Sequence, residues 1–138
     1  MRWQSSPVGQ VGRVVATVEQ TDLNADSEKF PGGISAVRAA QWLEEASARC
    51  LAPLLPAQLG SAVVGLSLTI THRPPVRLGT RIRATAKITR VTAQGRTFAF
   101  DLFVTDGDRE LVAGTLARIL VDKAGSGEYE IAPLRPER

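Results

Sequence analysis

This chain offers little for covalent or metal chemistry. It contains one cysteine and one histidine in 138 residues. A lone cysteine, Cys50, rules out an intrachain disulfide framework and is compatible with a reducing compartment. Cys50 and His72 together cannot supply the four soft ligands of a structural zinc site, so no metal is expected. No apolar run approaches the roughly 20 residues that a membrane-spanning helix needs. Met1 to Val11 holds no apolar stretch of the secretory-signal kind, and the expectation is a cytoplasmic protein without membrane contact. Glycine-rich phosphate loops of the Walker or dinucleotide type are absent, as is a G-x-S-x-G nucleophile elbow. Cys50 has no sequence context of a thiol nucleophile. What remains for chemistry is carboxylate and imidazole, a combination suited to general acid–base work on a carbonyl group.

What is present describes an ordinary globular chain. Hydrophobic residues make up 43% and charged residues 22%, enough for one domain with a real core. A single domain over 1–122 and a polar C-terminal tail over 123–138 are expected. The net charge of +3 favours anionic partners without naming them. Arg73, Arg77, Arg81, Arg83, Lys87 and Arg90 make the middle of the chain its most basic part. On a strand, Arg81, Arg83, Thr85 and Lys87 would share one face. That face is either a solvated sheet surface or a strip for phosphate groups. Interleaved aromatics are missing, which argues against nucleic acid.

Val11 to Thr21, rich in valine and threonine, is expected as a first strand. A polar loop follows, and Phe30-Pro31-Gly32-Gly33 opens a helical stretch from Ile34 to about Leu55. Four strands come next: Ala62–His72, Thr80–Thr92, Thr97–Thr105 and Arg109–Val121. Asp106-Gly107-Asp108 forms a strong hairpin turn. One strand, one long helix and four strands with short connections make an α+β arrangement, in which a sheet wraps the helix's apolar arc. The edges of such a sheet are often covered by a second subunit.

Two residues stand out. On a helical wheel Glu44 falls within the apolar arc, with Val37, Ala40, Ala48 and Leu51 as near neighbours. Glu45 lies on the opposite arc, where it can pair with Arg49 at i,i+4. An acid on an apolar face is costly unless paired or used. His72 ends a strand directly before Arg73-Pro74-Pro75, on the side of Val64, Leu66, Leu68 and Ile70. Arg118 likewise shares a face with Val112, Leu116 and Leu120, an odd place for a merely solvated charge.

The stretch from Phe30 to Val121 resembles the hot-dog-fold acyl-CoA thioesterases, and most closely the fluoroacetyl-CoA thioesterase group. The resemblance runs through Phe30-Pro31, Glu44, Arg49-Cys50-Leu51-Ala52-Pro53, Gly65, Thr71-His72, Gly114-Thr115 and Arg118. It implies a five-stranded antiparallel sheet around one central helix, and hydrolysis of a short or small acyl-CoA at a site built by a homodimer. A tetramer is the larger alternative. Coenzyme A enters only as part of the substrate, with no separate cofactor. By the same resemblance Glu44 and His72 are catalytic, Phe30 lids the acyl pocket, and Gly65 and Arg118 contact the substrate. The group's threonine, two helical turns before the glutamate, is replaced here by Ala36. The adjacent Ser35 is rotated from it by about 100°. Arg73, Arg77, Arg81 and Arg83 are candidates for the coenzyme A phosphates. Loss of the threonine leaves open a non-catalytic acyl-CoA binder or sensor on the same fold. A second hot-dog branch, resembling the 4-hydroxybenzoyl-CoA thioesterases, carries an aspartate followed by Gly-His before the helix. Asp22 meets that pattern only superficially, and a turn role is expected for it.

Overall fold

The computed structural model describes residues 6–23, 33–55, 61–73, 76–92, 96–123 and 129–131. Phe30, expected as a lid, lies outside them. The elements are β1 (Val11–Thr17), a 3-10 turn (Gln20–Asp22), α1 (Ala36–Leu51), β2 (Ser61–His72), β3 (Arg81–Thr92), β4 (Thr97–Asp106), β5 (Arg109–Lys123) and β6 (Tyr129–Ile131). All strand pairs are antiparallel. They form one sheet in the order β1-β3-β4-β5-β2, with β6 paired to β5. The first strand is shorter than its sequence suggested, because Gln20–Asp22 form the turn. The last strand runs on to Lys123 and β6 returns to it. The five expected strands form the main path of the sheet, and among the described residues the short β6, from the expected tail, adds to β5.

Alternation builds the core. Ile82, Ala84, Ala86 and Ile88 of β3 are buried, as are Phe98, Phe100, Leu102 and Val104 of β4. Their outward neighbours are exposed or half-buried, the period-two signature of a sheet with one covered face. Against that face lies α1, burying Ala39, Trp42, Leu43, Ala46, Ser47, Cys50 and Leu51. The helix packs chiefly on β1 and β3. Gly12 permits this approach: a Cβ there would collide with the Ala46 carbonyl and the Cys50 backbone.

Local chemistry sets the helix ends. Ser35 is the N-cap, its hydroxyl accepting from the Arg38 N–H at 3.1 Å. Asp22, 4% exposed, accepts from the Glu19 N–H and from Arg38 Nε, both at 2.8 Å. It thereby ties the turn to the first helical turn, and Arg38 in turn stacks over Trp42. Beyond Leu51, Pro53 has no N–H to continue the ladder.

Two bulges adjust which side chains face inward. In β2 the register skips Leu66 between Gly65 and Ser67. One extra residue reverses the alternation, so Val63 packs inward together with Leu68 and Ile70, and Leu66 is left 53% exposed. Simple alternation had put Leu66 with Leu68 and Ile70. In β3 the skip at Thr89 turns Val91 toward the core in the same way. A long helix cradled in an antiparallel sheet is the hot-dog arrangement that the resemblance implied.

Candidate active site

Glu44 is not buried within the single chain. It is exposed, because the apolar arc of α1 is wider than the face that the chain's own sheet covers. Val37 (69% exposed) and Ala48 lie on the uncovered part of the same arc. Glu45 is exposed as expected and pairs with Arg49 at 3.0 Å.

Arg118 organises the region around Glu44. It sits on the inner face of β5 opposite Gly65 of β2 and Phe98 of β4. Its Nη1 donates to the Ser47 hydroxyl at 2.8 Å and lies 3.5 Å from the Glu44 carbonyl oxygen. Its Nη2 donates to the Val63 carbonyl at 2.8 Å. Ser47 completes the link by donating to the Glu44 carbonyl at 2.7 Å. One guanidinium thus bridges the middle of the helix to the edge strand. Nε of Arg118 is buried without an acceptor. Burial pushes the guanidinium's pKa down, and the negative charge of Glu44 acts in the opposite sense.

Beside this clamp is a cavity of about 220 Å³ lined, among the described residues, by Ala48, Leu51, Ala52, Leu55, Val63 and Arg118. Ala48 follows Glu44 by one helical turn, so the carboxylate-bearing side chain stands next to the cavity. Gly65 lies at the same end of the sheet through its pairing with Arg118.

The other expected site residues are distributed as follows. His72 is exposed at the far end of β2, opposite Val112. Gly65 to His72 is roughly 20 Å of extended strand, so the chain alone does not bring His72 to the Glu44 region. Ala36 begins the helix and is exposed. The neighbouring Ser35 hydroxyl is engaged as the N-cap. Arg73 is held by Glu110 at 2.8 Å. Arg77 is exposed before β3, and Arg81 and Arg83 are exposed on the convex face. There they border a groove of about 220 Å³ with Val15, Ile82, Thr105 and Gly107. Arg81 and Arg83 therefore lie on the other side of the sheet from Glu44 and Arg118. Asp22 is accounted for by its turn and helix contacts. Among the described residues no cluster of three or more His, Cys, Asp or Glu side chains could hold a metal ion. Nor is any described helix long and apolar enough to cross a membrane.

Ser47 and the Val63 carbonyl were not singled out from sequence. Ser47 was visible as a hydroxyl within the apolar arc of the helix, and Arg118 as a cation on the apolar face of a strand. Two polar groups on facing apolar surfaces are a signal that they meet.

The fold defines a hot-dog protein. Residues 17–124 match the family of the fluoroacetyl-CoA-specific thioesterase FlK, and the chain belongs to that family. Solved structures agree on the fold. A hot-dog-like protein from Thermanaerovibrio acidaminovorans superposes with a TM-score of 0.73 at 22% identity, covering 84% of each chain. A variant of FlK solved with fluoroacetate and CoA gives a TM-score of 0.68 at 22% identity, over 82% of this chain and 93% of that one. A thioesterase superfamily member from Thermus thermophilus gives 0.74 at 15% identity over 88% of both chains. No curated protein matches the chain significantly.

Proposed function

We propose that the protein hydrolyses a short or small acyl-CoA thioester as a homodimer, with Glu44 of one protomer and His72 of the other serving one site. Membership of the thioesterase family supports the reaction class, and the FlK variant solved with fluoroacetate and CoA supports the substrate class. The observation that carries the dimer is the layout of β2. Among the described residues this strand is an edge of the sheet, with Gly65 near one end of the exposed stretch and His72 at the other. Antiparallel pairing of two β2 edges about a two-fold axis near Leu68 sets His72 beside the partner's Gly65, and hence beside the partner's Arg118 and Glu44. The same pairing covers the free edge and the exposed Val37 and Leu66.

In this site Glu44 takes a proton from water, and the water oxygen bonds to the thioester carbon. The carbon–sulfur bond then breaks, and His72 delivers a proton to the departing sulfur, giving free acid and coenzyme A. The bulge at Leu66 leaves ladder groups unpaired beside Gly65, where a backbone amide can hold the developing oxyanion. Of the basic residues considered for the phosphates of coenzyme A, exposed Arg77 is the one kept, since Arg81 and Arg83 lie on the opposite face of the sheet and Arg73 is already paired with Glu110. No cofactor or metal takes part.

Subunit mixing tests this reading. Glu44→Gln and His72→Ala homodimers should each lose activity in a thiol-release assay. Refolding the two variants together should restore about a quarter of wild-type activity, since half the dimers carry one intact site. Zero recovery from a confirmed heterodimer excludes the shared site. The replacement of threonine by Ala36, with the Ser35 hydroxyl taken up by the cap, favours one second reading, a non-catalytic acyl-CoA binder. Wild type that releases thiol no faster than Glu44→Ala across an acyl-CoA panel, while still binding coenzyme A thioesters, selects it.

A further inference from the structure

We infer that the cavity beside Arg118 receives the acyl group, and that it selects an apolar acyl chain of roughly six to nine carbons over a two-carbon one. This rests on the thioesterase reading above and names the substrate class of that same site.

The cavity begins where Glu44 stands: Ala48 is one turn further along the same helical stripe, and Arg118, which binds the Glu44 turn, forms one wall. A thioester carbon held at Glu44 therefore has its acyl chain directed past Ala48 toward Leu51 and Leu55. The opposite wall is Val63, turned inward by the bulge at Leu66. Apart from Arg118, every described lining residue is aliphatic, so the described side chains of the wall offer chiefly dispersion contacts.

Volume then sets the size of the occupant. An apolar cavity of roughly 150 Å³ accommodates a benzene ring, about 25 Å³ for each carbon. The 220 Å³ here, open to solvent on one side, sets on that scale an upper bound of about nine carbons. An acetyl or fluoroacetyl group would leave most of the volume to water against aliphatic walls. A hexanoyl, octanoyl or phenylacetyl group fills it. Among the described lining residues the polar side chain is Arg118, whose Nε has no acceptor. It stands at the Glu44 end, on the side of the thioester carbonyl rather than of the chain's tail.

The test uses the whole protein with acetyl-, butyryl-, hexanoyl-, octanoyl- and phenylacetyl-CoA, reading thiol release. Each buried methylene should raise kcat/KM by up to about fourfold, so hexanoyl-CoA should exceed acetyl-CoA by at least tenfold. Ala48→Leu and Ala52→Leu place extra carbons in the cavity from exposed positions that tolerate them. Both should lower the ratio of kcat/KM for octanoyl- and phenylacetyl-CoA to that for acetyl-CoA by about tenfold or more. A flat or falling chain-length series overturns the inference, as does an equal loss on every substrate in both variants. Binding of the non-hydrolysable thioethers S-ethyl-CoA and S-hexyl-CoA separates this inference from the reaction itself. Tenfold tighter binding of S-hexyl-CoA, without thiol release from any ester, sinks the thioesterase reading and sustains the cavity assignment. Equal binding of the two thioethers alongside active hydrolysis does the reverse.

Discussion

Replacing Arg118 by methionine is the sharpest perturbation of the site, because it removes the helix-to-edge bridge while retaining most of the side-chain volume. The wild-type guanidinium makes two good hydrogen bonds, to the Ser47 hydroxyl and the Val63 carbonyl, both at 2.8 Å. The 3.5 Å approach to the Glu44 carbonyl is too long to count for much. Bonds from a charged donor contribute about 1.5–3 kcal/mol each, and the half-buried position favours the lower figure, so roughly 3 kcal/mol is lost. Methionine also removes a cation that is costly to bury and an Nε without an acceptor, which returns about 1–2 kcal/mol. A net loss of about 1–2 kcal/mol remains, and the melting temperature should fall by roughly 3–8 °C for a chain of this size. Activity should fall further than stability, because the turn carrying Glu44 loses its tie to the edge strand. At a temperature where both proteins are folded, kcat/KM should drop at least about 100-fold. Arg118→Lys keeps the charge but not the fork that reaches both partners, and should recover stability more than activity. A methionine variant that melts at or above wild type and hydrolyses thioesters at the wild-type rate refutes the clamp.

Two further outcomes check the packing that positions the site. Gly12→Ala drives a methyl group into the Ala46 carbonyl and the Cys50 backbone; it should cost about 2–3 kcal/mol or more in thermal unfolding, and a neutral result contradicts the close helix–strand approach. Cys50 is buried, its thiol donates to the Gln10 carbonyl at 3.3 Å, and burial raises its pKa. It should resist thiol reagents at neutral pH until the protein unfolds. Since the unfolded thiol loses its proton first, Cys50 contributes stability below about pH 8.5 that declines as pH rises above it. Cys50→Ala should flatten that part of the stability–pH curve.

Glu44 marks the limit of what the sequence discloses. The wheel correctly grouped Glu44 with Val37, Ala40 and Ala48, because helical period depends on the chain alone. It could not say which half of that arc would meet the chain's own sheet, since that depends on where β1 and β3 cross the helix and on Gly12 allowing close approach. The covered half runs through Trp42, Leu43 and Ala46, and the half carrying Glu44 is left facing outward. Strand alternation met a similar limit. It placed Arg118 with Val112, Leu116 and Leu120 and thereby located the clamp. In β2, however, the one-residue skip at Leu66 reversed the inward set, a shift fixed by pairing to β5 rather than by local preference. The two failures concern adjacent surfaces. An apolar helical stripe left uncovered, beside an edge strand whose Leu66 is turned outward, is unfavourable for a lone chain in water. That same surface holds Glu44, while His72 waits at the strand's other end. The proposed pairing of β2 with the β2 of a second copy would meet each part of the surface that one chain leaves unsatisfied, and the same operation would unite the carboxylate with the imidazole.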